Sequence, residues 1–304
     1  AASDVYKRQM KQYKVAIIGN GMICNAAHIP AYKAMGDKVK IVAVADIREE
    51  AAKETAERHG IPKYYVDPYK MLEEEKPDII SVCTPNAYHK EYTLAGFRAG
   101  CHVVCEKPVA VTCADAEEMF NAAEKAGKHL FVIQSLRFTG NFEAAAGLAK
   151  SGCLGDIYYA DLNLVRRRGV PRWGMFHMAK ENVGGAFCDL GVHMCDYLMS
   201  ISGNPKMVSV SGSAVTRIVN KEKNIEFSNA ESGAPTGLFT PRKFDMKEFD
   251  VEEFANGYIR LENGMTVTFK ISWALNLPNS NTVSICGDKG GLTLSLIHIS
   301  EPTR

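Results

Sequence analysis

A chain of 304 residues, 46% of them apolar, is long enough for two ordinary domains with sizeable cores. Its 36 basic and 35 acidic residues nearly cancel, leaving a formal charge of +1, and no basic block argues for nucleic acid or an anionic membrane surface as partner. No apolar run approaches the ~20 residues of a bilayer span, no secretory signal is recognisable, and nine cysteines without paired spacing read as reduced thiols of a cytoplasmic protein.

Both ends read as foreign. Ser3-Asp4-Val5-Tyr6-Lys7-Arg8-Gln9 back-translates to DNA whose reverse complement spells most of Leu294-Ser295-Leu296-Ile297-His298-Ile299. An inverted repeat at both ends of a reading frame resembles a sequencing-library transposon end. Residues 1–9 and 294–304 are therefore expected to be artefactual tails, with natural protein continuing past the break.

From residue 10 to 134 short apolar runs alternate with amphipathic stretches. Strands are expected at 13–18, 40–45, 79–83, 102–105 and 130–134, and helices at 22–35, 48–59, 68–75, 88–99 and 113–127. Apolar runs without polar alternation suit parallel strands covered on both faces. Helices between them give a doubly wound Rossmann sheet in an α/β domain. Gly60, Gly100 and Gly127 stand where helices should stop. From 135 to 293 the rhythm changes to longer strands at 156–166, 206–217, 252–262, 265–274 and 281–287. Helices are expected at 142–151 and 191–202, the second stopping at Gly203. Glu262-Asn263-Gly264 is a hairpin signal. This second domain reads as α+β on a mostly antiparallel open sheet, and 219–249 as a long surface loop.

The glycine turn Gly19-Asn20-Gly21 follows a strand and opens a helix, the context a dinucleotide fingerprint requires. Gly19 permits the tight turn, Gly21 lets the backbone approach a pyrophosphate, and the amides around Met22 and Ile23 face the phosphates. Cys24 stands where the motif has its third glycine. Asp46, at the end of the second strand, can accept hydrogen bonds from the adenosine ribose and favours NAD. Arg48 could hold a 2′-phosphate, so NADP stays open. Thr84-Pro85-Asn86 follows the strand at 79–83, and ligands of such sheets bind beyond the strands' carboxyl ends; His89 could touch the cofactor too.

Three further segments carry chemistry: Cys105-Glu106-Lys107-Pro108, Gly184-Gly185 before Asp189 and His193, and Arg166 to Gly174. Together with the glycine turn and Thr84-Pro85-Asn86, they resemble the Gfo/Idh/MocA family, that of glucose–fructose oxidoreductase and inositol dehydrogenase, over roughly 13–293. The resemblance implies an NAD(P)-dependent dehydrogenase acting on CH–OH groups, with a polyol or sugar substrate. Its catalytic set maps to Lys107, Asp189 and His193. A histidine near neutrality suits a base that removes the hydroxyl proton. A lysine ammonium stabilises the developing alkoxide. Asp189 at i−4 from His193 lies on the same helical face and can orient substrate or imidazole. The resemblance also points to Glu106, Lys107 and Trp173 beside the cofactor, to Arg172 and Arg137 beside the substrate, and to a homodimer or homotetramer. The three catalytic groups are expected to converge beside the redox ring. Two other functions share the fold: an NAD-dependent glycoside hydrolase and a non-catalytic nucleotide-binding regulator. A metal at Cys188, His193 and Cys195 is not expected, because no Cys-x-x-Cys supports it.

Overall fold

The computed structural model describes residues 11–219, 232–233 and 237–295. The expected tails lie outside the described residues except for Leu294 and Ser295, as do 220–231 and 234–236 of the expected loop. The chain divides into two compact units. One reaches Ile133 and takes in a short segment ending at Arg242; the other begins at Gln134 and resumes at Lys243.

The first unit holds β1 (Tyr13–Ile18), β2 (Val39–Ala45), β3 (Tyr64–Tyr65), β4 (Ile79–Val82), β5 (His102–Cys105) and β6 (Leu130–Val132). All pair in parallel in the order β3-β2-β1-β4-β5-β6. Its helices are α1 (Ile29–Ala34), α2 (Glu49–His59), α3 (Pro68–Glu75), α4 (His89–Arg98) and α5 (Cys113–Ala126). The apolar runs are continuous because both faces of the sheet are covered. Ala16, Ile18, Ile80, Val82 and Val103 pack into one core, and Val15, Ile17 and Val44 into the other with Cys24, Ile29 and Tyr32. Strand order reverses between β1 and β4, so the crevice that binds ligands in such sheets opens past Ile18 and Val82. Gly60 and Gly127 end α2 and α5 in the left-handed conformation. The segment near Gly237 and Thr240 is held on α2, where Arg58 donates to the Gly237 carbonyl (2.7 Å) and Glu54 accepts from the Thr240 amide (3.2 Å).

One helix was expected over 22–35. Instead a π-helical turn, Cys24–His28, precedes α1. Pro30 follows at once and has no N–H to continue a four-residue ladder. The wider turn therefore closes on the Ile29 amide, which donates to the Cys24 carbonyl.

The second unit holds β7 (Ile157–Val165), β8 (Met207–Val215), β9 (Phe254–Leu261), β10 (Thr266–Ser272), β11 (Ser280–Gly287) and β12 (Gly291–Ser295), with α6 (Gly140–Lys150), α7 (Ala179–Asn182) and α8 (Val192–Ser202). The order is β12-β11-β7-β10-β9-β8, antiparallel throughout except for β7 with β10. Leu162, Val267, Ile271, Trp273 and Val283 face a core shared with Met194, Tyr197 and Leu198 of α8. The intervening residues Tyr159, Asp161 and Thr268 make a hydrogen-bonded polar face: the Tyr159 and Thr268 hydroxyls lie 2.7 Å apart, and Thr268 donates to Asp161 (2.5 Å). Leu294 and Ser295 continue β12 and pair with Val283 and Thr282, and Leu294 packs on the core. The ordered sheet thus extends two residues into the expected tail, because the alternation of Leu292, Thr293 and Leu294 fits an edge strand.

All nine cysteines are free thiols. Cys24, Cys83, Cys101 and Cys105 are buried, whereas Cys113 and Cys153 are exposed. Among the described residues no helix is long and apolar enough to cross a membrane, and no group of three or more His, Cys, Asp or Glu side chains is arranged to hold a metal.

Candidate active site

In the first unit the glycine turn leaves β1 against the turn that leaves β4. Gly19 has φ +92°, and a Cβ there would lie 2.6 Å from the carbonyl carbon and oxygen of Cys83 and 2.8 Å from the Thr84 amide. Only glycine fits, for both conformation and space. At Gly21 the case is opposite: a Cβ would meet no protein atom within 4 Å. The backbone there is open to approach from outside.

Asp46, past β2, is tied to this turn. Its carboxylate accepts from the Asn20 amide (2.8 Å) and the Arg48 amide (2.9 Å). The Arg48 Nε stands 3.8 Å away. Four lone-pair sites on a carboxylate leave room for two ribose hydroxyls. Asn25 supports the turn from below. It is buried, and its amide donates to the Asn20 (3.1 Å) and Gly21 (2.9 Å) carbonyls. Among the described residues, the buried Asn20 Oδ1 and Thr84 Oγ1 have no hydrogen-bond partner. Buried polar atoms are rarely left so. Orphaned atoms beside an open glycine backbone and a carboxylate with spare lone pairs fit a dinucleotide at this turn.

Glu106 and Lys107 follow β5. Glu106 is buried, and its Oε1 lies 2.9 Å from Nε2 of His28, which the π turn carries inward. Its Oε2 accepts from the Lys107 amide (3.1 Å). Burial opposes the Glu106 charge, but the His28 bond and the nearby Lys107 hold its carboxyl below the usual range. Lys107 itself is half-buried.

His89 takes a different place from the one expected. It is 0% exposed, and its Nδ1 and Nε2 face the carbonyls of Pro108 (2.8 Å) and Thr84 (3.0 Å). Both ring nitrogens are spent on backbone, so direct contact with a cofactor is replaced by a tie between two loops.

In the second unit Gly184 and Gly185 allow close approach of neighbouring atoms. A Cβ on Gly185 would lie 1.9 Å from the Glu252 carbonyl oxygen. The Glu252 carboxylate accepts from the Gly185 (2.7 Å) and Phe187 (2.9 Å) amides, capping the helix that carries the catalytic candidates. That helix opens with a π turn, Phe187–Gly191, and becomes α8 at Val192. Asp189 lies in the π turn, so a regular four-residue step does not relate it to His193; such turns are frequent at functional sites. The fully buried Trp273 donates its indole N–H to Asp189 Oδ2 (3.0 Å). Burial lowers the Arg166 guanidinium from its usual value, and the charge of Asp189 offsets this only in part.

Arg137 was expected beside the substrate. Its guanidinium makes a two-pronged bond to Asp196 of α8 (2.7 and 2.6 Å), because the short helix Ser135–Phe138 abuts that element. Arg172 is half-buried. Trp173 is buried against Phe176, with ring centroids 6.2 Å apart, and its indole nitrogen has no partner among the described residues. Asn25, His28 and Glu252 were not legible as site residues.

Comparison with known proteins agrees with this architecture. Residues 13–134 match a family model described as an oxidoreductase family with an NAD-binding Rossmann fold. Residues 142–293 match one described as a GFO/IDH/MocA C-terminal domain. The chain is 36% identical over 288 residues to the D-glucoside 3-dehydrogenase of Escherichia coli K12, covering 94% of this chain and 78% of that protein. It is 30% identical over 190 residues to the myo-inositol 2-dehydrogenase of Thermotoga maritima, covering 62% of this chain and 55% of that protein. The crystal structure of GenD2 from gentamicin A biosynthesis, in complex with NAD, superposes with a TM-score of 0.77 at 22% identity, covering 94% of this chain and 73% of that one.

Proposed function

The chain belongs to the Gfo/Idh/MocA oxidoreductase family, and from that premise we propose that it oxidises a ring hydroxyl of a sugar, sugar acid or cyclitol, with NAD as hydride acceptor. A D-glucoside is the first substrate to try, since the relative named for that substrate matches over 94% of the chain. The observation that carries the cofactor half of this reading is the Asp46 carboxylate joined to the glycine turn at 2.8 Å, with two orphaned polar atoms beside it. A carboxylate at that place accepts from ribose hydroxyls and repels a 2′-phosphate. Arg48 is the group through which NADP would enter.

NAD, when bound, supplies the hydride acceptor. The chain supplies the proton and charge management. In the proposed mechanism His193 takes the hydroxyl proton, a role worth roughly 10²–10⁴ in rate. The Lys107 ammonium donates to the same oxygen as alkoxide charge develops. Asp189, fixed by Trp273, orients the substrate hydroxyl or the imidazole. Glu106 holds the Lys107 backbone, while Arg172 borders the substrate and Trp173 the cofactor.

The first unit serves as the nucleotide domain and the second as the domain for substrate and oligomer contacts. The reading includes pairing of two copies through this second unit into a homodimer or homotetramer. Nine free thiols support a reducing, cytoplasmic setting.

The test is production of NADH or NADPH from a panel of glucosides, aldoses, sugar acids and inositols. Stoichiometric NADH with at least one of them supports the reading. Sugar release without NADH would replace it by hydrolysis, and NAD binding with no turnover of any member would replace it by a regulator.

A further inference from the structure

On the reading that the first unit binds NAD and presents Lys107, we infer that His89 is a positioning residue: a buried imidazole that joins the Thr84 turn to the Glu106–Pro108 segment and so sets Lys107 relative to the cofactor loop.

The geometry is specific. His89 opens α4 and is 0% exposed. It spans two segments that leave different strands, Nδ1 meeting Pro108 at 2.8 Å and Nε2 meeting Thr84 at 3.0 Å. Both partners are carbonyl oxygens, which only accept. A neutral imidazole carries one N–H, so it bonds one loop and presents a lone pair to the other. An imidazolium bonds both. His28 grips the same lysine segment through Glu106 at 2.9 Å. The charged groups acting on His89 are Glu106, which favours the imidazolium, and Lys107, which opposes it; burial is the largest influence and lowers the ring from its usual value. At neutral pH the ring therefore holds one loop firmly and the other weakly.

Two conservative variants separate the arms. In His89→Asn the amide nitrogen replaces Nδ1, keeping the Pro108 bond and losing the Thr84 bond. In His89→Gln it replaces Nε2 and does the reverse. Dissociation constants for NAD, kcat with a substrate from the panel, and amide hydrogen exchange across 82–88 and 104–110 are measured for each. The Asn variant is expected to weaken NAD roughly tenfold with kcat little changed and exchange faster at 82–88. The Gln variant is expected to lower kcat roughly tenfold with NAD affinity little changed and exchange faster at 104–110. Equal changes in both quantities for both variants, or no change in either, would overturn the inference.

If a variant fails to fold, the wild-type protein decides. Exchange at the two segments, corrected for the chemical rate, should quicken together as pH falls below the ordinary histidine range, because burial lowers the ring and an opening that exposes it then gains a proton. Constant exchange, or a change at one segment alone, contradicts the joint. Binding and exchange need no substrate, so a panel without turnover would sink the dehydrogenase reading and leave the joint testable.

Discussion

The two glycines of the β1 turn should answer to alanine in opposite ways. A methyl at Gly19 meets the Cys83 carbonyl at 2.6 Å and the Thr84 amide at 2.8 Å, at φ +92°. These are backbone atoms of a neighbouring turn and cannot swing aside. Left-handed strain costs about 1–2 kcal/mol and overpacking about 1–3 kcal/mol, so Gly19→Ala should destabilise the first unit by roughly 2–5 kcal/mol. A methyl at Gly21 meets nothing within 4 Å. Its backbone is not in the left-handed region, so alanine there should leave stability unchanged or raise it by about 0.4–1 kcal/mol. If a pyrophosphate lies against this backbone, however, the methyl occupies its place, and NAD affinity should fall roughly tenfold to a hundredfold, about 1.4–2.8 kcal/mol. Denaturant melts and NAD titrations of both variants form the assay. Gly21→Ala with unchanged NAD affinity would refute the assignment of this turn to the cofactor, and Gly19→Ala with wild-type stability would refute the contact on which the turn's shape rests.

Asp46→Ala removes the acceptor for two backbone amides and the charge that repels a 2′-phosphate. The ratio of NADP to NAD efficiency should rise roughly tenfold or more, read as kcat/KM for each cofactor; an unchanged ratio would acquit Asp46 of selecting it. Gly185→Ala drives a methyl to 1.9 Å from the Glu252 carbonyl oxygen, so the second unit should lose about 2–4 kcal/mol. Turnover should then fall more than NAD affinity, as separate titration and kinetics will report. Acid should destabilise the fold in two windows. Burial lowers His89 in the folded state, so the unfolded chain binds more protons below its own value near ~6.5, and stability declines as pH falls from there. Glu106 is held below its ordinary value. Its contribution is intact above about 4.5 and is lost as pH falls through the depressed value. Urea melts across this range should show both declines, and His89→Gln should reduce the upper one without removing it, because burial also lowers His59 and His102.

Local signals were the legible ones. Parallel strands betrayed themselves as apolar runs because both faces are buried, and Gly60, Gly127 and Gly203 marked helix ends because each adopts the left-handed conformation. Two edge strands were missed for different reasons. β3 has only two residues, too few to show a period, and β12 straddles the boundary assigned to a tail. Interactions across long sequence separations left no local trace. Glu252 caps a helix 67 residues earlier, and His28 meets Glu106 from 78 residues away. A carboxylate in a strand entry or a histidine in an apolar helix looks ordinary until the fold pairs it. The π turn at Cys24–His28 was read as regular helix because a one-residue widening barely alters apolar spacing, and the one at Phe187–Gly191 fell before the expected helix start at 191. His89 was drawn toward the cofactor by its chemistry alone, whereas two backbone carbonyls claim its ring.

The proposed reaction is hydride transfer from a substrate carbon to nicotinamide, with His193 removing the hydroxyl proton. A glucoside or inositol turned over by the protein, deuterated at the oxidised carbon, tests it in a single turnover. Deuterium is expected in the NADH formed, in equal amount to the ketone, with a rate lowered roughly 10²–10⁴-fold by His193→Ala. NADH without deuterium, or a His193→Ala rate equal to wild type, would contradict it.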